Sequence, residues 1–239
     1  QGQGYSTIAF GDNAGRNTQG PYAIAIGELC GYESQQLRAL AIGNDAGVIK
    51  QGTNAIAIGY LAGFSYQQSG AIAIGANAGG VGITAGAQTG QDINAIAIGN
   101  SSGQTSQQSG AIAIGFNAGA SNQRTNAISI GVNAGQQNQG QLSVAIGNLA
   151  GSLSQGTNSI AIGSNAGSTN QHQNSIVINA TGLTLNSQTQ SAFYAAPIRQ
   201  ASAANTLYYD TTYKEIVYEG VLTAEAVNIS NYNQTVKLN

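Results

Sequence analysis

A short motif, Ala-Ile-Ala-Ile-Gly, returns along this chain at a fixed interval and constrains the fold more than any other feature. Successive closing glycines lie sixteen positions apart, as Gly11 and Gly27 do, except that the step from Gly75 to Gly99 is longer by eight. A second glycine follows each of them four residues later, and glutamine nearly always stands eight residues before the next one. A period of this length predicts a stack of repeated structural units. The closing glycines are Gly11, Gly27, Gly43, Gly59, Gly75, Gly99, Gly115, Gly131, Gly147 and Gly163.

The pattern inside each repeat predicts an all-β fold. Alternation of Ala and Ile has the period of two that is typical of a strand. The two glycines bound a tight turn, and the polar stretch around the glutamine is long enough for a second short strand. We therefore expect a parallel β-roll, or β-solenoid, of about eleven 16-residue coils over residues 1–179, followed by a small C-terminal β cap.

The alternation also divides each strand into two faces, and we expect the isoleucines to point into the coil. The alanines would then form a flat outer wall that packs against other copies of the chain, since two apolar side chains per coil make a small core. The predicted core positions are Ile56, Ile58, Ile72, Ile74, Ile96, Ile98, Ile112 and Ile114.

The glutamines lie in register from coil to coil, so we expect their amides to form a ladder along the stack. The alternatives for this row are a solvated face and a ligand-binding row. The predicted ladder residues are Gln51, Gln67, Gln107, Gln123, Gln139 and Gln155.

Residues 180–239 differ from the repeat in composition, being rich in aromatic side chains. Leu207–Tyr209 and Glu215–Tyr218 are predicted to be two strands of a hairpin around the turn at Asp210–Lys214. We expect this region to cap the exposed strand edge of the roll, with the tail from Val221 acting as a terminal strand within its own trimer or exchanged with a neighbouring subunit. The alternative role for its tyrosines is a binding surface, and the candidates are Tyr208, Tyr209, Tyr213 and Tyr218.

The longer step between Gly75 and Gly99 contains eight extra residues around Gly80–Ala87, which is half a coil. Insertions in repeat arrays usually form surface loops. If the fibre binds a partner through its side, this protrusion is the first candidate, with Val81, Ile83 and Thr84 as its interaction residues.

Composition excludes several function classes. Only 7% of the residues are charged and the net charge is −2, which argues against nucleic acid as a partner. No apolar run is long enough for a membrane-spanning helix, so we expect no membrane insertion. His172 is the one histidine, and Cys30, the one cysteine, occupies an alanine position of the repeat, as a small buried residue would. We therefore expect no enzyme activity, no metal and no cofactor.

Two stretches, Asn54–Ala62 and Asn158–Ala166, carry the sequence Asn-(Ala/Ser)-Ile-Ala-Ile-Gly-x-x-Ala. This motif resembles the head repeat of YadA-like trimeric autotransporter adhesins, although the period of that family is usually shorter than 16. The resemblance implies a left-handed parallel β-roll with three chains around one axis and a role in surface adhesion. Three later segments, Ser175–Gly182, Ala192–Arg199 and Leu207–Tyr218, resemble the part that follows such repeats in large-DNA-virus and phage fibre-like proteins.

These observations favour a structural, extracellular fibre or adhesin module. It would be a homotrimeric rod on a virion or cell surface. The rod would present or bind a ligand, a host-surface protein or glycan, and so mediate surface attachment. The alternative is a self-polymerising extracellular filament subunit that is joined by exchange of the C-terminal strand and binds no specific ligand.

Overall fold

The computed structural model describes residues 2–80, 90–198 and 205–220. The chain divides into two compact units, Gln1–Pro197 and Ile198–Asn239. The described residues contain strands and turns and no helix. The strands, in chain order, are Gly2–Gln3 (β1), Ile8–Phe10 (β2), Thr18–Gln19 (β3), Ile24–Ile26 (β4), Glu33–Gln35 (β5), Leu40–Ile42 (β6), Ile49–Gln51 (β7), Ile56–Ile58 (β8), Ile72–Ile74 (β9), Ile96–Ile98 (β10), Ile112–Ile114 (β11), Ile128–Ile130 (β12), Val144–Ile146 (β13), Ile160–Ile162 (β14), Ile176–Asn179 (β15), Phe193–Ala196 (β16), Asn205–Asp210 (β17) and Glu215–Gly220 (β18).

The first unit is the predicted parallel β-solenoid. Its Ala-Ile strands form one twelve-stranded parallel sheet, from β2 at one edge to β16 at the other, in which each strand pairs with the strands of the preceding and following coils. The register follows the repeat, so that Ile56 pairs with Ile72 and Ala57 with Ala73. Across the longer step Ile72 pairs with Ile96. The extra residues therefore leave the stack unbroken.

The prediction that the isoleucines point into the coil is wrong. Alanines of the strands, such as Ala57 and Ala97, have no solvent exposure, whereas Ile98 on the same strand as Ala97 is 36% exposed. Alternation places the two residue types on opposite faces but does not say which face is inside. The physical reason for the inversion is the glutamine, whose side chain also enters the coil and leaves room only for small neighbours. The predicted core positions, all on the outer face instead, are Ile56, Ile58, Ile72, Ile74, Ile96, Ile98, Ile112 and Ile114.

The second, polar stretch of each repeat also stacks in parallel. In the first coils it forms a four-stranded sheet of β1, β3, β5 and β7. Further along it is reduced to single bridges, such as Thr105 to Ser121 and Gln137 to Leu153. Each coil therefore has one continuous strand face and one looser polar face.

The turns of each coil rely on left-handed backbone conformations. The closing glycine has φ near +126°, as at Gly99, and a Cβ there would lie 2.6 Å from the carbonyl oxygen of Gly115 in the next coil. Both the conformation and the close approach require glycine. Asn and other residues adopt φ near +55° at the remaining turn positions, for example Asn117 and Asn126.

The roll extends one coil further than the repeat in the sequence. β16 pairs with β15 in parallel and places Tyr194 opposite Val177, at an inward position. In this coil Ser187 is buried and the Tyr194 hydroxyl accepts hydrogen bonds from the backbone N–H groups of Gln188 (2.9 Å) and Thr189 (3.0 Å). The large sheet accordingly has twelve strands, where the sequence predicts about eleven coils.

The second unit contains the predicted hairpin. β17 and β18 are antiparallel, with Asp210 paired to Glu215. At the turn the Asp210 carboxylate accepts hydrogen bonds from the backbone N–H groups of Thr212 (2.7 Å) and Tyr213 (3.0 Å). Aspartate at the first position of a turn commonly makes such contacts.

Candidate interaction surfaces

The glutamines of the repeat form an amide ladder in the interior of the roll. Gln107, which is 1% exposed, lies with its Nε2 near the carbonyl oxygen of Ile96 (2.8 Å) in its own coil and that of Ala111 (3.2 Å) at the start of the next, and donates to both. The same amide nitrogen lies 3.0 Å from Oε1 of Gln123 in the next coil. The side chain thus ties the two strand segments of one coil together and links that coil to its neighbour, which is a structural use of a buried amide.

All six glutamines of the predicted ladder are buried. Direct amide-to-amide hydrogen bonds run without a break from Gln35 to Gln123 and continue from Gln139 to Gln155. The interior position removes these side chains from contact with a partner. The residues concerned are Gln51, Gln67, Gln107, Gln123, Gln139 and Gln155.

The second glycine of the repeat makes room for this amide. A Cβ at Gly103, where φ is +51°, would lie 2.5 Å from Oε1 of Gln107 and 3.0 Å from the Cβ of Ala97. The small residues Gly103 and Ala97 leave the space that the Gln107 amide fills. A larger residue at either position would displace the amide, because close-packed interiors tolerate little added volume.

Ser129 interrupts the ladder at the one Ala-Ile-Ser-Ile-Gly copy. Its hydroxyl donates to Oε1 of Gln139 (2.5 Å) and accepts from Nε2 of Gln123 (3.3 Å). The hydroxyl thus stands between two amides that would otherwise bond directly, so the chain of hydrogen bonds continues through it.

Cys30 is fully buried, as expected for a small residue at an alanine position. Burial raises the pKa of the Cys30 thiol to about 11, because the charged thiolate is poorly solvated there. At neutral pH the thiol is protonated and packs as an apolar group.

The outer face of the large sheet carries a continuous apolar stripe, which we call the isoleucine stripe. It consists of the two outward residues of every strand from β2 to β15. Most of their side chains are half-buried, the more open ones from β10 onward are 36% (Ile98) to 42% (Ile178) exposed, and Ile8 and Phe10 at the end of the stripe are 50% and 74% exposed. Single exposed apolar residues are ordinary, but a contiguous apolar stripe along the whole sheet marks an interaction surface.

Charged and aromatic residues stack in pairs near the beginning of the roll. Between Gln51 and Ile198 the sequence contains only two charged residues, Asp92 and Arg124. In the earlier coils, cationic side chains lie over tyrosine rings of the adjacent coil, at distances typical of cation–π contacts. The pairs are Arg16 with Tyr32 (5.7 Å), Arg38 with Tyr22 (5.8 Å) and Lys50 with Tyr66 (5.1 Å).

His172 links the last two coils. Its Nδ1 lies 3.0 Å from Oγ of Ser187, and that oxygen also accepts from the His172 backbone N–H at 2.8 Å. Within the described ranges, no three His, Cys, Asp or Glu side chains gather as they would around a metal ion. The same ranges contain no helix that is both long and apolar enough to cross a membrane.

The remaining candidate interaction residues, in the hairpin and in the insertion, are only partly within the described residues. Tyr209 and Tyr213 of the hairpin are exposed, at 56% and 77%. The backbones of Tyr208 and Tyr218 pair with Val217 and Leu207. The insertion residues Val81, Ile83 and Thr84, and the tail from Val221, lie outside the described residues.

The fold and its surfaces define a parallel β-solenoid whose interior is a glutamine ladder and whose outer sheet face is an apolar stripe. Residues 139–166 match the family model of the YadA head domain repeat in two copies. The matched segment contains two of the coils, which are therefore similar to YadA head repeats, and the coils before it share its sequence pattern. No curated protein and no solved structure matches the chain. The resemblance of the C-terminal segments to viral and phage fibre proteins therefore stays a prediction.

Proposed function

We propose that this chain is a rod-like module of an extracellular fibre, which associates as a homotrimer through the isoleucine stripe and serves in surface attachment. The observation that carries the proposal is the stripe itself. It runs along the full sheet, and the single chain leaves it open to solvent.

The inverted orientation of the strands changes which face is expected to associate. The alanine wall is internal, so it is unable to pack against another copy. The outward isoleucines supply branched apolar side chains at the coil spacing of about 4.8 Å. Because every coil repeats the same residues, identical stripes on identical chains are in register over their whole length, which suits closed rotational symmetry.

The family match supports three copies in preference to two. YadA-like head repeats belong to trimeric adhesins, and the match lies in the regular part of the roll. Surface exposure and a non-catalytic role follow from the same family relationship and are part of this proposal.

Sedimentation equilibrium on the purified chain tests the association. One chain has a mass of 24.1 kDa, and a trimer has three times that mass. We expect the trimer at micromolar concentration, and a monomer at that concentration would contradict the proposal.

A matched pair of variants locates the interface. Ile162 and Leu153 have nearly equal exposure, 39% and 38%, but Ile162 lies on the stripe and Leu153 on the polar face of the coil. We expect Ile162→Lys to dissociate the trimer, because it places one charge per chain in an apolar contact. Leu153→Lys should leave the mass unchanged. Equal behaviour of the two variants would place the interface elsewhere.

A further inference from the structure

A polar cleft lies at the corner of the roll where the chain leaves the glutamine ladder. The residue after each ladder glutamine forms a column along this corner. Gly140 and Gly156 are consecutive members of that column, with Arg124 before them and His172 after them. Two successive coils therefore lack a side chain here, and a depression opens between their neighbours.

The floor of the cleft is backbone at close contact. A Cβ at Gly140 would lie 2.5 Å from the carbonyl carbon of Gly156, and a Cβ at Gly156 would collide with the backbone nitrogen of Gln173. A side chain at either glycine would require the adjacent coils to shift, so the depression depends on these two glycines. Its volume is ≈ 350 Å³, which is in the range of small-ligand sites.

Arg124 supplies the only positive charge on this part of the molecule. No other Lys or Arg occurs between Gln51 and Ile198. Among the described residues its guanidinium forms no ion pair. The nearest acidic residue of the column, Asp92, is two coils away, which is about 10 Å at the usual strand spacing. The guanidinium is thus available to an anion, and its planar fork suits a carboxylate or sulfate.

The other polar side chains at the cleft have hydrogen-bonding capacity left. Asn138 uses Oδ1 to accept from Asn122 (3.0 Å), which leaves its amide hydrogens unused by that contact. Gln173 uses Nε2 to donate to Gln190 (3.0 Å), which leaves Oε1 as an acceptor. Ser154 and Thr157, which carry hydroxyl groups, also line the site. This set of amides and hydroxyls matches a ligand with several hydroxyl groups.

We propose that the cleft over Gly140 and Gly156 binds an acidic sugar unit, with its anionic group on Arg124 and its hydroxyls on the surrounding amides and hydroxyls. This inference rests on the proposed function, because it names the class of ligand that an attachment module would recognise. The lining contains no aromatic ring on which a sugar could stack. Each site therefore binds weakly, and three copies on one trimer raise the avidity.

Ligand-observed NMR titration of the full-length chain tests the proposal with three probes. D-glucuronate and D-glucose 6-sulfate each carry one negative charge, and D-glucose is their neutral control. We expect saturation transfer and a measurable affinity for at least one charged sugar and a weaker signal for glucose. Preference between the two charged probes distinguishes a carboxylate from a sulfate ligand. No binding of either, or equal binding of all three, overturns the proposal.

Two variants with matched controls locate the site. Arg124→Gln should lower the affinity for the charged sugar by about tenfold or more, because it removes a charge-assisted contact, whereas Arg38→Gln should not. Ser154→Tyr should block the cleft. Ser154 has φ of 56°, and Tyr66 occupies the equivalent position with φ of 53°, so the substitution suits the backbone.

Ser106→Tyr, at the same repeat position two coils before Asn138, is the control for Ser154→Tyr. If Arg124→Gln and Ser154→Tyr bind the sugar as the unaltered chain does, the site is not this cleft. Sedimentation of the same variants separates this failure from a failure of the trimer, since none of these substitutions lies on the isoleucine stripe.

Discussion

The two faces of each Ala-Ile strand differ in a way that reverses the usual rule for a β protein. The inner face carries alanine and the outer face carries isoleucine, so the larger apolar residue is the more exposed one. In most proteins the larger apolar residues are found inside. The interior of this narrow coil is therefore specified by volume and hydrogen bonding as well as by hydrophobicity.

The interior works because a polar side chain fills it with its amide nitrogen paired in every coil, although the amide oxygens of Gln19, Gln35 and Gln171 accept no hydrogen bond. The two hydrogens of the Gln107 amide nitrogen are shared among three acceptors, and its oxygen accepts from Gln91 at 2.9 Å. Alanine and glycine supply the space for that amide. The outer face is free to carry branched residues, and we infer that other copies of the chain cover them.

Removing one amide from the ladder is expected to lower the free energy of unfolding more than any other substitution considered below. Gln107→Leu keeps the approximate size of the side chain but removes its hydrogen bonds to Ile96 O, Ala111 O and the Gln91 amide, and leaves Oε1 of Gln123 without its amide donor. Because each buried unpaired group costs about 1–3 kcal/mol, we expect the free energy of unfolding to fall by about 3 kcal/mol or more. Urea denaturation followed by circular dichroism measures it.

The control for this substitution is Gln137→Leu on the polar face, where Leu153 occupies the equivalent position of the next coil. Its effect should be within about 0.5 kcal/mol of zero. Similar losses for the inner and the outer glutamine would mean that the ladder contributes little.

Exchanging the residue types between the two faces tests whether each face requires its own residue. Ala97→Ile adds volume to the interior, where the Ala97 side chain already faces Gly103, and we expect it to destabilise the chain by roughly 1–3 kcal/mol. Ile98→Ala removes volume from the outer face and should weaken self-association more than it weakens the fold. Urea denaturation and sedimentation, run on both variants, separate the two effects. An Ala97→Ile variant as stable as the unaltered chain would contradict the tight interior.

The smallest effect is expected where the ladder already differs from the repeat. Ser129→Ala removes the hydroxyl between Gln123 and Gln139 and allows their amides to bond directly, as in the other coils. One set of hydrogen bonds replaces another, so the free energy of unfolding should change by less than about 1 kcal/mol. A clearly larger loss in the same denaturation assay, comparable to that of Gln107→Leu, would show that the amides fail to close the gap.

Much of the fold follows from the sequence because the repeat states it many times. The period predicts the stacked parallel strands, the glycine spacing predicts the turns, and the register of the glutamines indicates a ladder. The hairpin is indicated by Asp210 and its flanking β-branched and aromatic residues. Repetition fixes such local geometry with little help from distant contacts.

The sequence does not directly predict which face of each strand points into the coil, because alternation is symmetric between the two faces. A signal was present in the second glycine. Gly103 is needed only if the Gln107 amide folds inward over Ala97, so the joint occurrence of Gly and Gln indicates an inner face of small residues. The cleft at Gly140 and Gly156 depends on backbone packing between coils, which the sequence pattern alone does not predict.

Site-directed cross-linking tests the central claim, that alanine faces inward and isoleucine faces a neighbouring chain. In a Cys30→Ala background, which restores the usual residue of that position, single cysteines are placed at residue 97 or residue 98 and treated with a short bis-maleimide. We predict covalent linkage between chains for Ile98→Cys and none for Ala97→Cys. Linkage through residue 97, with residue 98 remaining unlinked, would contradict the account.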